Sequence, residues 1–147
     1  MSEMKEKKLE RRIMALDLGD KKIGVAVSDP MKITAQSLTT LTREGWAKDL
    51  AKIRDLVEKY NVSEIIIGLP LNMNGSAGST AQQYMKFARR LSRALNIKII
   101  TQDERLTSLQ ANRVLLQGKV KRAKRKKLVD KVAASYILES YLSQRKN

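Results

Sequence analysis

The sequence predicts an α/β domain built on a mixed β-sheet. Three observations support this fold class: two apolar runs joined by a short turn near the start, an amphipathic helix after them, and a buried strand after that helix. A tight turn joins antiparallel strands, whereas a helical crossover joins parallel ones. The 147 residues suffice for a substantial core, so we expect residues 11–147 to form a single domain. We expect residues 1–10 to be a frayed, flexible start.

The first elements predict a hairpin and an edge strand. The runs Arg12–Leu18 and Lys22–Ser28 are rich in β-branched and other apolar residues and are separated by a three-residue turn. Asp29 and Pro30 then break the pattern. Residues 32–39 predict a third strand, whose polar character suits the edge of a sheet.

Helices and strands alternate through the remainder of the chain. Residues 45–60 have apolar positions spaced by three and four, which predicts a helix, and residues 63–67 form a buried run that we expect to lie parallel to the first strand. The later elements are a helix that ends near Leu95, a strand over residues 97–101, a helix from Thr107 to Gly118, and a final helix from about Lys127 to Leu142.

The charge balance predicts a polyanionic partner. Thirty Lys and Arg residues against fifteen Asp and Glu residues give a net charge of +15, and nucleic acid is the leading candidate for such a field. The densest basic stretch consists of Lys119, Lys121, Arg122, Lys124, Arg125, Lys126 and Lys127. We expect these side chains to contact phosphates, and a solvated charge run is the alternative.

The absence of histidine and cysteine restricts the possible chemistry. Catalysis must proceed without a histidine base, and a metal must be held by oxygen ligands, which favours Mg²⁺ or Mn²⁺. No stretch is apolar enough for a membrane span or a secretory signal. We therefore expect a cytoplasmic protein with no membrane partner.

Three acids stand where a solvated carboxylate would be unusual: Asp17 in an apolar strand, Glu104 at the end of another, and Asp130 in the apolar stripe of the last helix. Separately, they are compatible with a turn residue, a partner for Arg105 and a helix-start acid. Together they predict one site, in which divalent cations relieve their mutual repulsion. Two such ions about 4 Å apart support phosphodiester hydrolysis without a nucleophilic side chain, which predicts a nuclease.

A loop rich in turn residues adds candidate substrate contacts. Asn72 and Asn74 follow the buried strand at residues 63–67, and ligands of open α/β sheets bind beyond the carboxyl ends of strands. The alternative is an ordinary connection. Arg105 is either a phosphate contact or a residue that holds Glu104.

The chain resembles the YqgF/RuvX family of the RNase H-like superfamily. The matching motifs are Leu16-Asp17-Leu18-Gly19 continuing into Ile23-Gly24-Val25-Ala26-Val27, Gly68-Leu69-Pro70-Leu71-Asn72-Met73-Asn74-Gly75, Asp103-Glu104-Arg105-Leu106-Thr107, and Lys126-Lys127 with Asp130 and Ala133-Ala134. The resemblance implies an RNase H-like mixed five-stranded sheet, with the first three strands antiparallel and helices on its flanks. It also implies that Asp17, Glu104 and Asp130 are catalytic and bind Mg²⁺ or Mn²⁺.

The resemblance further implies a metal-dependent nuclease that matures pre-16S ribosomal RNA. The alternatives are a Holliday junction resolvase acting on branched DNA and a non-catalytic RNA-binding assembly factor. We expect the protein to be a monomer or a homodimer. The hairpin also resembles the phosphate-binding turn of actin-like ATPases, but the second domain of that group does not fit in 147 residues. Many relatives carry Thr where this chain has Asp20, which leaves open whether a fourth acid joins the metal shell.

Overall fold

The structure is a computed structural model that describes residues 11–72, 74–103 and 122–145, with the side chains of residues 122–132 not described. Its strands are β1 (Arg12–Leu18), β2 (Lys22–Ser28), β3 (Ala35–Thr42), β4 (Val62–Leu69) and β5 (Lys98–Asp103). Its helices are α1 (Trp46–Lys59), α2 (Ser79–Leu95) and α3 (Arg122–Arg145). None of the described helices is long and apolar enough to cross a membrane.

The five strands form one mixed sheet in the order β3-β2-β1-β4-β5. The pairs β1–β2 and β2–β3 are antiparallel, and the pairs β1–β4 and β4–β5 are parallel. The predicted hairpin, the edge position of the third strand and the parallel crossover are all confirmed. Because β1, β4 and β5 run in one direction, their carboxyl ends meet at one edge of the sheet, which we call the carboxyl edge.

Each face of the sheet has its own core because side chains alternate along a strand. One face packs against α1 and α2, and this α1/α2 core includes Met14, Leu16, Val25, Ile53, Ile65, Ile67, Tyr84 and Leu91. The other face packs against α3, and this α3 core includes Ile13, Ala15, Ala26, Ile66, Ala134, Ile137, Leu138 and Leu142. Ala134, Ile137 and Tyr141 form the inward stripe of α3 with the buried Ala133, and Glu139 is exposed on the opposite side.

The third strand begins three residues later than predicted. The carboxylate of Asp29 accepts hydrogen bonds from the backbone N–H groups of Met31, Ile33 and Thr34, at 2.6–3.0 Å. Lys32 also has a φ of 60°, which no strand residue adopts. Residues 29–34 therefore form a tight turn, and the strand that pairs with β2 starts at Ala35 and reaches Thr42.

The last helix begins five residues before the predicted start at Lys127. The segment Arg122–Lys127, which we predicted to precede the helix, occupies its first turns. Lys, Arg and Ala are good helix formers, and no glycine or proline follows Gly118. Charge density therefore did not prevent helix formation. The predicted helix over residues 107–118 lies outside the described residues.

Candidate active site

Asp17 lies near the carboxyl end of β1, on the face of the sheet that α3 covers. Ile13 and Ala15, which share this face, are buried in the α3 core, whereas Leu16 and Leu18 point into the α1/α2 core. Asp17 itself is half-buried, although every other residue of β1 after Arg12 is fully buried. The strand therefore presents one carboxylate at the point where the apolar core gives way to solvent.

A row of residues crosses the sheet through Asp17. This Asp17 row consists of Gln102, Gly68, Asp17, Gly24 and Thr40, from β5, β4, β1, β2 and β3. Gly24 of β2 is the register partner of Asp17. On the other side, Leu16 pairs with Ile67 of β4, so the next residue of β4, Gly68, lies beside Asp17. Both strand neighbours of the carboxylate thus lack a side chain. Thr40 Oγ1 is buried and has no hydrogen-bond partner within the described part of the chain.

The turn after Asp17 is held by a residue that sequence reasoning missed. The backbone N–H of Gly19 donates to the carbonyl of Lys22 at 2.8 Å, and Arg43 Nη1 donates to the carbonyl of Gly19 at 2.7 Å. Arg43 Nε lies 3.8 Å from Asp49 Oδ2, and the side chain of Asp49 is only 4% exposed. The buried Asp49 therefore orients Arg43, and Arg43 fixes the turn.

A signal for this support existed in the sequence. Asp49 falls three residues after Trp46 and four before Ile53, on the inward stripe of α1. An acid on an apolar stripe requires a partner. Asp20, in contrast, is exposed in the turn.

The orientation of α3 places its beginning toward the carboxyl edge. Tyr141 Oη donates to Glu64 Oε1 at 3.4 Å, and Arg145 Nη1 lies 4.0 Å from the same oxygen, so the end of α3 meets the start of β4. Burial, together with the Glu64 carboxylate, raises the pKa of Tyr141 above 10.0, which keeps the phenol a hydrogen-bond donor. Gln102 Nε2 of the Asp17 row donates to the carbonyl of Ile137 at 3.3 Å.

Most of the remaining predicted site residues, or their side chains, lie outside the part of the chain that the structure describes. Asp130 belongs to α3, one turn before the buried Ala133 and Ala134, but its side chain lies outside the described residues. Glu104, Arg105, Lys119 and Lys121 are also outside, as are the side chains of Arg122, Lys124, Arg125, Lys126 and Lys127. Among the described side chains, no group of three His, Cys, Asp or Glu residues is close enough to hold a metal ion.

The loop with the two predicted asparagines is folded onto Ser76. Asn72 Nδ2 donates to Ser76 Oγ at 3.0 Å, and Asn74 Oδ1 accepts from Ser76 N at 3.0 Å and from Ser76 Oγ at 2.6 Å. Both amides are exposed. These bonds give the asparagines a structural role in shaping the loop, and their contact with substrate stays a prediction.

The fold is similar to that of two proteins solved in complex with Holliday junctions. The structure of T. thermophilus RuvC in complex with a Holliday junction substrate aligns with a TM-score of 0.57 and 14% identity, covering 92% of this chain and 96% of that one. The fowlpox virus resolvase in complex with Holliday junction DNA aligns with a TM-score of 0.55 and 19% identity, over 92% and 99% of the two chains. The architecture is therefore that of the RuvC-like proteins with an RNase H-like fold.

The sequence comparison identifies the family within that class. Residues 11–144 match the family model described as "RuvX: Holliday junction resolvase", and the chain belongs to this RuvX family. A protein of Caldanaerobacter subterraneus subsp. tengcongensis named "Putative pre-16S rRNA nuclease" is 47% identical over 137 residues, which cover 92% of this chain and 99% of that protein. The family resemblance and the fold class predicted from the sequence are both confirmed.

Proposed function

We propose that this protein is a divalent-metal-dependent nuclease that hydrolyses phosphodiester bonds in precursor 16S ribosomal RNA. The observation that carries the proposal is the placement of Asp17: a half-buried carboxylate at the carboxyl edge, with a glycine on each side, on the sheet face that α3 covers. The name of the 47% identical relative supports ribosomal RNA as the substrate. The proposed site of action is the cytoplasm.

The geometry of α3 supports Asp130 as the second acid. Eleven residues separate Asp130 from Tyr141, about 16 Å along a helix, and Tyr141 is anchored at Glu64. From Glu64 to Gly68, beside Asp17, the sheet spans about 13 Å. The helix is thus long enough for Asp130 to reach the level of the Asp17 row. Glu104 directly follows β5, which ends at the same edge.

The donor set fits a hard divalent cation. Asp17, Glu104 and Asp130 offer only carboxylate oxygens, which suit Mg²⁺ or Mn²⁺ and would hold the ion in the proposed site. When bound, such an ion lowers the pKa of water and stabilises charge on phosphate oxygens. The missing side chains at Gly24 and Gly68 favour close approach of a phosphate to Asp17.

The basic side chains are assigned to substrate binding. The segment from Lys119 to Lys127, with Arg105 and the loop amides of Asn72 and Asn74, would contact RNA phosphates and riboses. The segment Arg122–Lys127 begins α3, the helix that also carries Asp130. Helix α3 therefore connects the proposed phosphate contacts of Arg122–Lys127 to the proposed metal ligand Asp130.

The decisive experiment compares two acid-to-amide variants on a precursor RNA with Mg²⁺ or Mn²⁺. Asp17→Asn should lower cleavage at least about a hundredfold, equivalent to about 2.7 kcal/mol. Asp55→Asn, which neutralises an exposed acid of α1, is the matched control and should cleave normally. Undiminished cleavage by the Asp17→Asn protein would remove the mechanism.

A second candidate substrate is branched DNA, favoured by the description of the family model as a Holliday junction resolvase. A resolvase makes paired cuts as a symmetric dimer. Light scattering combined with parallel digestion of a four-way junction and a structured precursor RNA separates the two substrates. A dimer that cuts the junction faster than the RNA would favour DNA, and a monomer that cuts only RNA would favour ribosomal RNA maturation.

A non-catalytic RNA-binding factor is distinguished by its response to metal. Isothermal titration with Mn²⁺ should show uptake that Asp17→Asn weakens and Asp55→Asn does not. RNA binding with no metal uptake would instead support the assembly-factor alternative, in which the acids have only structural roles.

A further inference from the structure

Helix α2 carries an exposed basic stripe that the proposed active site does not use. The helix contains four cationic residues and no acid. Lys86, Arg89 and Arg93 are exposed and recur at intervals of three and four, so they lie along one side of the helix over about 10 Å. The fourth cation, Arg90, is engaged elsewhere, because its guanidinium lies 4.2 Å from the ring centroid of Trp46.

The basic stripe borders a groove along the β5 edge of the sheet. Two adjoining depressions, of about 460 and 710 Å³, share Met85 and Arg89. The first, between α2 and β5, is lined by Arg89, Ser92, Arg93, Ile99 and Thr101 among others. The second continues along α2 to Ser79 and Ala77 and includes Lys86. Together they form what we call the α2 groove.

The cations of the α2 groove are available to a ligand. Within the described part of the chain, Lys86, Arg89 and Arg93 form no ion pair and no side-chain hydrogen bond, in contrast to Arg54, which donates to the carbonyl of Ala94. The nearest acid along β5 is Asp103, two residues beyond Thr101, and this residue already has an interaction of its own. A run of unpaired cations in a groove attracts a polyanion.

One end of the α2 groove, at Ala77 and Ser79, lies toward the carboxyl edge of the sheet. The loop after β4 leads directly into Ser79, the first residue of α2, and β4 ends at the same edge as β1 and Asp17. From Ser79 to Arg93 the groove extends about 21 Å along the helix, away from that edge. Asp17 is on the face of the sheet that α3 covers, and the α2 groove is on the side of α2, so an RNA strand that reached both would pass around the β4–α2 loop at the carboxyl edge.

We infer that the α2 groove binds the backbone of a single-stranded segment of the RNA substrate, adjacent to the segment at the cleavage site. This inference rests on the proposed nuclease function. The cations form one line, which matches one sugar-phosphate backbone, and Arg, Lys, Ser and Thr are the side chains that commonly contact phosphates. No aromatic side chain is among the described residues that line the groove, so we expect binding there to be independent of base sequence.

Binding is tested without catalysis, on protein that carries Asp17→Asn, in the presence of a chelator. The probe is a fluorescent single-stranded RNA of mixed sequence, titrated at several salt concentrations. Loss of two phosphate contacts by Arg89→Gln with Arg93→Gln should lower the slope of log affinity against log salt by about 1.4. Over a fourfold increase in salt, the parent should lose about sevenfold more affinity than this variant.

The matched control removes the same charge elsewhere. Lys32→Gln with Lys48→Gln changes two residues that do not line the α2 groove and should leave the slope within about 0.3 of the parent, since only direct contacts release counterions. Equal slopes for all three proteins, or equal losses for the variant and its control, would overturn the inference. Because Lys32 is only partly buried and the other substituted residues are exposed, the thermal midpoint should be nearly unchanged, and measuring it checks that each variant is folded.

A cleavage assay with intact Asp17 separates this inference from the proposed function. For an RNA with a long single-stranded extension, the protein carrying Arg89→Gln and Arg93→Gln should have a higher KM than the parent and the same kcat. For a short RNA that spans only the cleavage point, both constants should match the parent. If the Asp17→Asn protein cleaved RNA while the salt slopes behaved as expected, the mechanism would fail and the groove would stand. If the Asp17→Asn protein did not cleave RNA while the salt slopes of the groove variant and its control were equal, the proposed mechanism would stand and only RNA binding by the α2 groove would be refuted.

Discussion

Replacing Arg43 by Met tests whether the turn after Asp17 depends on a residue that is distant in sequence and is not a proposed metal ligand. The substitution retains an unbranched apolar stem and removes the guanidinium. It deletes the 2.7 Å hydrogen bond to the carbonyl of Gly19 and the 3.8 Å contact with Asp49. It also deletes the cation–π contact with Phe87, whose ring centroid is 5.6 Å from the guanidinium carbon.

These contacts allow the expected loss of stability to be worked out. A hydrogen bond from a charged donor contributes about 1.5–3 kcal/mol, and an exposed cation–π contact about 0.5–1 kcal/mol. The ion pair adds less than about 1 kcal/mol, because the Arg43 side chain is 30% exposed. Asp49 keeps the hydrogen bond from the Glu44 N–H at 2.8 Å, which limits the penalty of leaving it buried. Since these contributions overlap, we expect Arg43→Met to lower the free energy of unfolding by about 2–3 kcal/mol.

Urea denaturation of Arg43→Met, Asp49→Asn and the double variant measures both the loss and the coupling between the two residues. Lys52→Met is the control, because Lys52 is bonded nearby, to the Thr42 carbonyl and Glu44, but does not touch the turn. At a temperature where all variants are folded, kcat of Arg43→Met should fall while that of Lys52→Met should not. A loss below about 0.5 kcal/mol, together with parental kcat, would refute the supporting role of Arg43.

Three further predictions concern the stability of the fold around the site. Gly19→Ala would place a Cβ 2.9 Å from the Lys22 carbonyl oxygen, so we expect a loss of about 1–3 kcal/mol in urea denaturation; an unchanged midpoint would show that the turn relaxes freely. Ile137→Ala empties a fully buried position beneath α3 and should cost about 2–5 kcal/mol, with a thermal midpoint near that of the parent as the contradicting result. Desolvation alone would raise the pKa of Asp29, but hydrogen bonds led by that of the Thr34 backbone N–H hold it below 3.8, so the ionised form stabilises the fold above that pH. This stabilisation is lost as the pH falls through the lowered pKa, and the stability difference between the parent and Asp29→Asn should therefore shrink in acid; a difference independent of pH would contradict this reasoning.

The sheet was predictable because its signals are local and repeated. Strands β1, β2 and β4 have apolar residues on both faces, and only a sheet with helices on both sides buries such strands. The start of β3 was not predictable, because a single carboxylate, that of Asp29, organises the turn before it. The start of α3 was placed five residues too late, at about Lys127, although the Lys and Arg residues before it favour helices.

The candidate site was predictable only where a residue conflicts with its surroundings. Asp17 is recognisable because a carboxylate inside an apolar strand requires an explanation, and the structure places it at the carboxyl edge. Arg43 gives no such signal, since an arginine after a strand is ordinary, and its role depends on a contact across 24 positions with Gly19. The sequence likewise does not show that Arg90 packs on Trp46 whereas the adjacent Arg89 lines the α2 groove, because this difference depends on the position of Trp46 in the fold.

The central position of β1 has a consequence for how this protein loses activity. β1 is flanked by β2 and β4 and covered by helices on both faces, so its amide protons should exchange with solvent only when the whole domain opens. Asp17 is carried by this most protected strand. Fraying at the sheet edges should therefore leave the carboxylate in register, and heat inactivation should coincide with global melting instead of preceding it.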